Sequence, residues 1–191
     1  MTSVTIFGTG NMGNAIAQVL AAGGASVQHI GSGDKSSTVQ GDLVVLAVPY
    51  AALAAITADY GGQLGGKVVV DITNPVNFET FDSLVVPAGS SAAAELAGAL
   101  PDAKVLKAFN TNFAATLASR KVENATTTVL IAGDDADAKA SLAAAVSAGG
   151  VEAVDAGPLA RAHELEALGF LQLTLAAGEK ISWTGGFSLH H

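Results

Sequence analysis

The sequence predicts an α/β fold, a doubly wound and mostly parallel sheet with helices on both faces. Three observations predict it. Short apolar runs alternate with segments of helical spacing along the whole chain of 191 residues. Several runs, such as Leu43-Val44-Val45-Leu46-Ala47-Val48, are apolar at every position, as strands covered on both faces must be. The first run, Val4-Thr5-Ile6-Phe7, passes through Gly8-Thr9-Gly10-Asn11-Met12-Gly13 into a helical segment with Met12, Ile16, Val19 and Leu20 on one face.

Taken in order, strands are expected at 3–7, 25–31, 42–48, 67–72, 103–109, 126–132 and 151–155. Helices fit at 12–22, 50–60, 90–99, 112–119, 135–147 and 159–178. The connection 32–41 is the irregular one. Ten residues span roughly 33 Å when extended, enough to cross a strand but too few for a comfortable crossover helix. The sheet is therefore shortened after its second strand, with the order 2-1-3-4 and a topological switch point between strands one and three. Residues 1–156 form the sheet domain on this reading, and 157–191 add a helix and tail that complete the substrate side. The segment from Asn74 to Ser90 is the longest loop, of a length that often carries function.

The glycines give the fold its first chemistry. A strand, G-x-G-x-x-G and a helix together form the turn of a Rossmann-type dinucleotide site. Gly8 makes the tight turn, Gly10 lets the backbone approach a pyrophosphate, and Gly13 lets the helix pack closely. The helix start offers unpaired N–H groups and the positive end of its dipole to the anion.

Composition removes other classes of function. There is no cysteine, which excludes disulfides, thiolate metal sites and cysteine nucleophiles. A formal net charge of −8 argues against nucleic-acid or anionic-membrane partners. The longest apolar stretch, Leu165 to Ala177, is interrupted by Glu166 and Gln172 and is too short to span a bilayer. No leader segment is read ahead of the first strand, and a soluble cytoplasmic protein is expected. The four histidines are scattered and no G-x-S-x-G elbow occurs, so neither a metal site nor a catalytic acid or base is expected. His29 and His163 read as structural.

The end of the second strand bears on the choice of nicotinamide cofactor. NAD-binding folds place an acid there for the ribose 2′-hydroxyl. Here the chain reads His29-Ile30-Gly31-Ser32-Gly33-Asp34-Lys35-Ser36-Ser37, with hydroxyl residues and one lysine able to bind a 2′-phosphate. Asp34 has the spacing of a ribose ligand but lies beyond the strand end, in a turn expected to point away. NADP is the favoured cofactor.

Several further motifs lie at predicted strand ends: Ala47-Val48-Pro49, Asp71-Ile72-Thr73-Asn74-Pro75, Lys107-Ala108-Phe109-Asn110-Thr111, Gly133-Asp134-Asp135, and Asp155-Ala156-Gly157-Pro158-Leu159 followed by Leu165-Glu166. With the glycine turn and Gly31-Ser32, they resemble the coenzyme F420-dependent NADP reductases over nearly the whole chain. The resemblance implies reversible hydride transfer between NADP(H) and a deazaflavin or flavin-like acceptor. It implies that Thr9, Ser32 and Lys35 hold the 2′-phosphate, with the backbone of Asn11 and Met12 on the pyrophosphate. Ala47, Val48 and Pro49 then line the cofactor, and Asn74 and Pro75 with Ala108, Phe109 and Asn110 form the nicotinamide end. The chain departs from that pattern at Gly33, where the family commonly carries arginine, and in the shortened segment that follows.

Such chemistry needs stacked rings and excluded water rather than a dedicated acid or base. Asn74-Pro75 either sits beside the nicotinamide carboxamide or simply starts a turn. Asn110 or Asn112 could instead cap the next helix. The Gly-rich tail around Trp183 reads as a lid over a planar ring, or as an apolar tail docked on the core or a second subunit. Leu165, Leu168, Leu171 and Leu175 recur at helical spacing, first as core and second as the face of a homodimer. Two rival functions stay open. The stretch from Gly10 to Ile16 also resembles pyrroline-5-carboxylate reductase, a small imine reductase, although that family's large helical C-terminal domain is missing. A non-catalytic NADP(H)-sensing module is the other.

Overall fold

A computed structural model describes residues 2–34 and 36–189. Seven strands form one sheet in the order β2-β1-β3-β4-β5-β8-β9. They are β1 (Ser3–Phe7), β2 (Ser26–Ile30), β3 (Leu43–Leu46), β4 (Val68–Asp71), β5 (Lys104–Lys107), β8 (Thr128–Gly133) and β9 (Glu152–Gly157). The short β6 (Lys121–Val122) and β7 (Ala125–Thr126) form a separate hairpin that the sequence reading does not anticipate. The helices are α1 (Asn11–Ala22), α2 (Leu53–Leu64), α3 (Ala92–Ala99), α4 (Ala114–Ser119), α5 (Ala136–Ala148) and α6 (Ala162–Ala177). All strand pairs in the sheet are parallel except β5 with β8.

The predicted order 2-1-3-4 holds, and so does the trimmed connection between β2 and β3. The stretch 36–41 carries no helix and buries Val39. Gly41 shows how it passes so close to the sheet: an ideal Cβ there would lie 2.4 Å from the Thr5 backbone nitrogen. Its N–H donates to Thr5 Oγ1 at 2.8 Å, and that hydroxyl donates to Gln28 Oε1 at 2.7 Å.

Period-two alternation on apolar strands sends side chains into two cores. One holds Val4, Ile6, Val45, Val70 and Leu106 against α1, α4 and α5. The other holds Phe7, Val44, Leu46, Val69 and Val105 against α2 and α3. Ser91 and Asp135 cap α3 and α5 by accepting from the Ala94 and Ala138 N–H groups, at 3.0 and 2.8 Å. The long loop folds on itself: the Val85 N–H donates to the Pro75 carbonyl at 2.7 Å, and Val76 bridges Leu84.

One local expectation fails and another holds only in part. Neither Asn110 nor Asn112 caps α4, whose first flanking residue is Phe113 with no side-chain cap. The leucine repeat is only in part the inner face of α6, with Leu165 buried and Leu168 and Leu175 half-buried. The helix's buried positions are Ala162, Leu165, Glu166, Gly169, Gln172 and Ala176, while Leu171 is 49% exposed. This helix seats a polar and small-residue stripe on the sheet's carboxyl edge, where buried polar groups await it. No helix among the described residues is long and apolar enough to cross a membrane.

Candidate dinucleotide site

In the turn after β1, Gly8 and Gly13 make the tight turn and the close helix packing expected of them. Gly8 has φ +109, and an ideal Cβ on it would sit 2.2 Å from the Ala47 carbonyl oxygen. Gly13 approaches the Gly8 carbonyl so closely that a Cβ would lie 2.7 Å from it. Gly10 is different. A Cβ there meets nothing within 4 Å, so this glycine leaves space that the protein itself does not fill. Gly10 is also the N-cap of α1; no side chain caps it and no acid lies in the first turn. The opening amides of α1 therefore face the crevice with the helix dipole behind them. His29 buttresses the turn, its Nδ1 3.0 Å from the Gly8 carbonyl, which fits a structural role. This arrangement fits a dinucleotide pyrophosphate.

The crevice opens to either side of that turn. One arm, about 470 Å³, is lined by Gly8, Thr9, Gly10, Ser32, Ala47, Val48 and Pro49, all expected there, together with Tyr60 and Asp59. Asp34 is exposed and does not line this arm. Its Oδ2 accepts from the Gly31 N–H at 2.8 Å, because a short acid three residues on can close its own turn. Lys35 lies outside the described residues.

The other arm, about 450 Å³, starts from Asn11 and Met12 and is walled by Asn74, Phe109, Asn110, Asn112, Phe113, Gly169, Gln172 and Trp183, among others. Of the residues assigned to the nicotinamide end, Asn74, Phe109 and Asn110 line it. Pro75 and Ala108 are buried and do not. Phe109 makes the wall: β5 ends at Lys107, and fully buried Phe109 takes φ +62. A positive φ at an aromatic residue is strained. It turns the chain so that Asn110 meets Asn74. The Asn74 Nδ2 donates to the Asn110 carbonyl at 2.8 Å, and Asn110 Nδ2 donates to Asn74 Oδ1 at 2.9 Å and the Leu165 carbonyl at 2.7 Å. Asn112 Nδ2 donates to the Thr128 carbonyl at 2.9 Å. Both asparagines are almost wholly buried, and each is left with an Oδ1 that no described group donates to. Phe113 and Trp183 form the aromatic side, ring centroids 5.0 Å apart.

Beneath this arm lies an ionic cluster formed by residues of three strand-end motifs. The Lys107 ammonium contacts Asp71 Oδ2 at 2.9 Å and Glu166 Oε1 at 2.8 Å, and donates to the Thr73 carbonyl. All three side chains are fully buried. Glu166 also accepts from the Ala92 N–H at 3.0 Å, at the start of α3. Burial pushes its carboxyl above the usual range, and Lys107 pulls the other way. A lysine closing an apolar strand was the available signal, since such a charge needs paired partners.

Fold and crevice together define a dinucleotide-binding α/β protein. No protein-family model matches the chain. It is similar to the F420-dependent NADP reductase of Methanocaldococcus jannaschii, 29% identical over 173 residues, covering 88% of this chain and 77% of that protein. Among solved structures, one provisionally named an F420-dependent NADP reductase, from Arthrobacter sp. FB24, superposes with a TM-score of 0.85 at 24% identity over 100% of both chains. A hypothetical protein from Sinorhizobium meliloti superposes with a TM-score of 0.71 at 30% identity, covering 84% of this chain and 87% of that one. The chain is thus similar over most of its length to an F420-dependent NADP reductase, the resemblance its motifs carry.

Proposed function

We propose that the chain passes a hydride between NADP(H) and a deazaflavin or flavin-type acceptor. Its relationship to the F420-dependent NADP reductases supports NADP as cofactor and oxidoreduction as the class of reaction. When bound, the dinucleotide would supply the hydride chemistry: one proton with its two electrons would pass between the nicotinamide and the acceptor ring, and the second proton would exchange with solvent.

The chain's own residues supply place and dryness. The amides at Asn11 and Met12 hold the pyrophosphate, Thr9, Ser32 and Lys35 the 2′-phosphate, and Asn74 and Asn110 the nicotinamide end. Phe113 and Trp183 keep water from the ring, and residues 157–191 complete that side. A homodimer contact through α6, where Leu171 is exposed, belongs to the same reading.

One observation favours an uncharged ring in this arm over a charged acceptor such as a pyrroline carboxylate. Among the described residues that line the second arm none is titratable; they are amides, alanines, a glycine, an isoleucine, a methionine, a leucine and aromatic rings. A carboxylate or phosphate substrate would be desolvated there without a counter-charge, whereas an uncharged heterocycle would not. The test is oxidation of NADPH by the purified chain with F420, FMN and cyclic imines offered in turn. Turnover with F420 or FMN is the expected result. Turnover only with imines would replace the proposal with an imine reductase, and binding without turnover would replace it with a sensor.

A further inference from the structure

Within little more than one turn, α6 touches the carboxyl ends of β4 and β5 at three points. The Leu165 carbonyl accepts from Asn110 Nδ2, and Glu166 pairs with Lys107. At Gly169 the helix approaches so closely that an ideal Cβ would lie 2.3 Å from Asn74 Oδ1 and 3.0 Å from Asn110 Nδ2. A glycine inside a helix is unfavourable for the helix itself. Here it makes room for the amide pair.

That pair has little freedom to yield. Asn74 is held at both ends, its Nδ2 on the Asn110 carbonyl and its Oδ1 under the Asn110 amide. Asn110 Nδ2 has both hydrogens committed, which fixes which end of that amide is oxygen. What remains is an acceptor, Asn110 Oδ1, on a residue that lines the second arm. Buried polar atoms are normally paired, so this oxygen calls for an N–H donor from outside the chain. A primary carboxamide is such a donor.

We propose that Gly169 is a positioning residue, whose missing side chain lets the Asn74–Asn110 pair stand where it receives the carboxamide of a nicotinamide ring. The inference rests on the function proposed above. The Lys107–Glu166–Asp71 cluster supports it by fixing α6 against both strands, so that the position of Gly169 is set by buried charge as well as apolar packing.

The test uses the full chain and two ligands, NADP+ and adenosine 2′,5′-bisphosphate, which carries the adenosine half without the nicotinamide. Dissociation constants come from calorimetry and stability from thermal melts. In Gly169→Ala, NADP+ affinity should fall by about tenfold, the scale of one or two lost hydrogen bonds. The bisphosphate should bind as before, while the melting temperature should fall, because the methyl group displaces a buried, hydrogen-bonded amide pair. In an Asn74→Ala background, where the methyl group has room, adding Gly169→Ala should cost nothing further. That double variant also serves if the single one folds poorly. NADP+ binding unchanged in Gly169→Ala, equal loss of both ligands, or a loss that persists beside Asn74→Ala would each overturn the assignment. If the unmodified chain binds neither ligand, the underlying functional reading fails and takes this one with it.

Discussion

The two arms of the crevice are built in opposite ways. The first is local: Gly8 to Gly13 bend one turn, and neighbouring strand ends supply Ser32 and Ala47 to Pro49. Its chemistry is backbone amide and empty space, which needs glycine and little else. The second arm is assembled from α1, the ends of β4 and β5, α4, α6 and the tail. Its chemistry is side-chain amide on a foundation of buried charge. A short motif therefore suffices to specify the anion site, whereas the ring site depends on the whole fold closing correctly.

The contrast can be broken most sharply at Gly10. Because a side chain there would enter open space, Gly10→Val should abolish NADP+ binding in calorimetry while the circular dichroism and melting temperature stay unchanged. A variant that still binds would remove the pyrophosphate assignment. Gly8→Ala is the structural counterpart, and should destabilise the fold through its clash with Ala47.

The second arm should break from below. Lys107→Met leaves two buried carboxylates without their cation, and should cost about 3–5 kcal/mol in urea unfolding. The sign of its pH dependence follows from Glu166. A carboxyl raised in the folded state favours folding below the ordinary glutamate range, and loses that contribution as pH rises through its raised value. Removing Lys107 takes away the opposing pull, so the deficit of the variant should narrow as pH falls. A deficit that stays constant from acid to neutral pH would mean that the cluster is not ionised as drawn.

The smallest effect sharpens the first arm. Lys35→Ala should weaken NADP+ by about 1.5–3 kcal/mol, the worth of a charge-assisted contact, and leave NAD+ unaffected. Equal loss for both nucleotides would mean that Lys35 does not read the 2′-phosphate.

Much of this was legible in the chain itself. Alternating apolar runs gave the strand order through β4, and the ten residues from Ser32 to Gly41 announced the missing crossover helix. The glycine spacing placed the turn between β1 and α1 to the residue. The second arm was only half legible. Asn74 and Asn110 could be pointed to, but nothing in Phe109 announces a positive φ, and Pro75 and Ala108 looked equally well placed. Gln172 and Gly169 read as ordinary helix positions, and of the α6 leucines only Leu165 proved fully buried.

What the sequence determined alone is what nearest neighbours along the chain can enforce: strand and helix periodicity, a turn that only glycine can make, the absence of thiol chemistry. What tertiary structure decided is which buried polar atoms meet. Lys107, Asp71 and Glu166 lie far apart in sequence, and each would be too costly to bury alone. Only when β4, β5 and α6 converge do they find one another, and the amide wall above them takes its shape from that convergence.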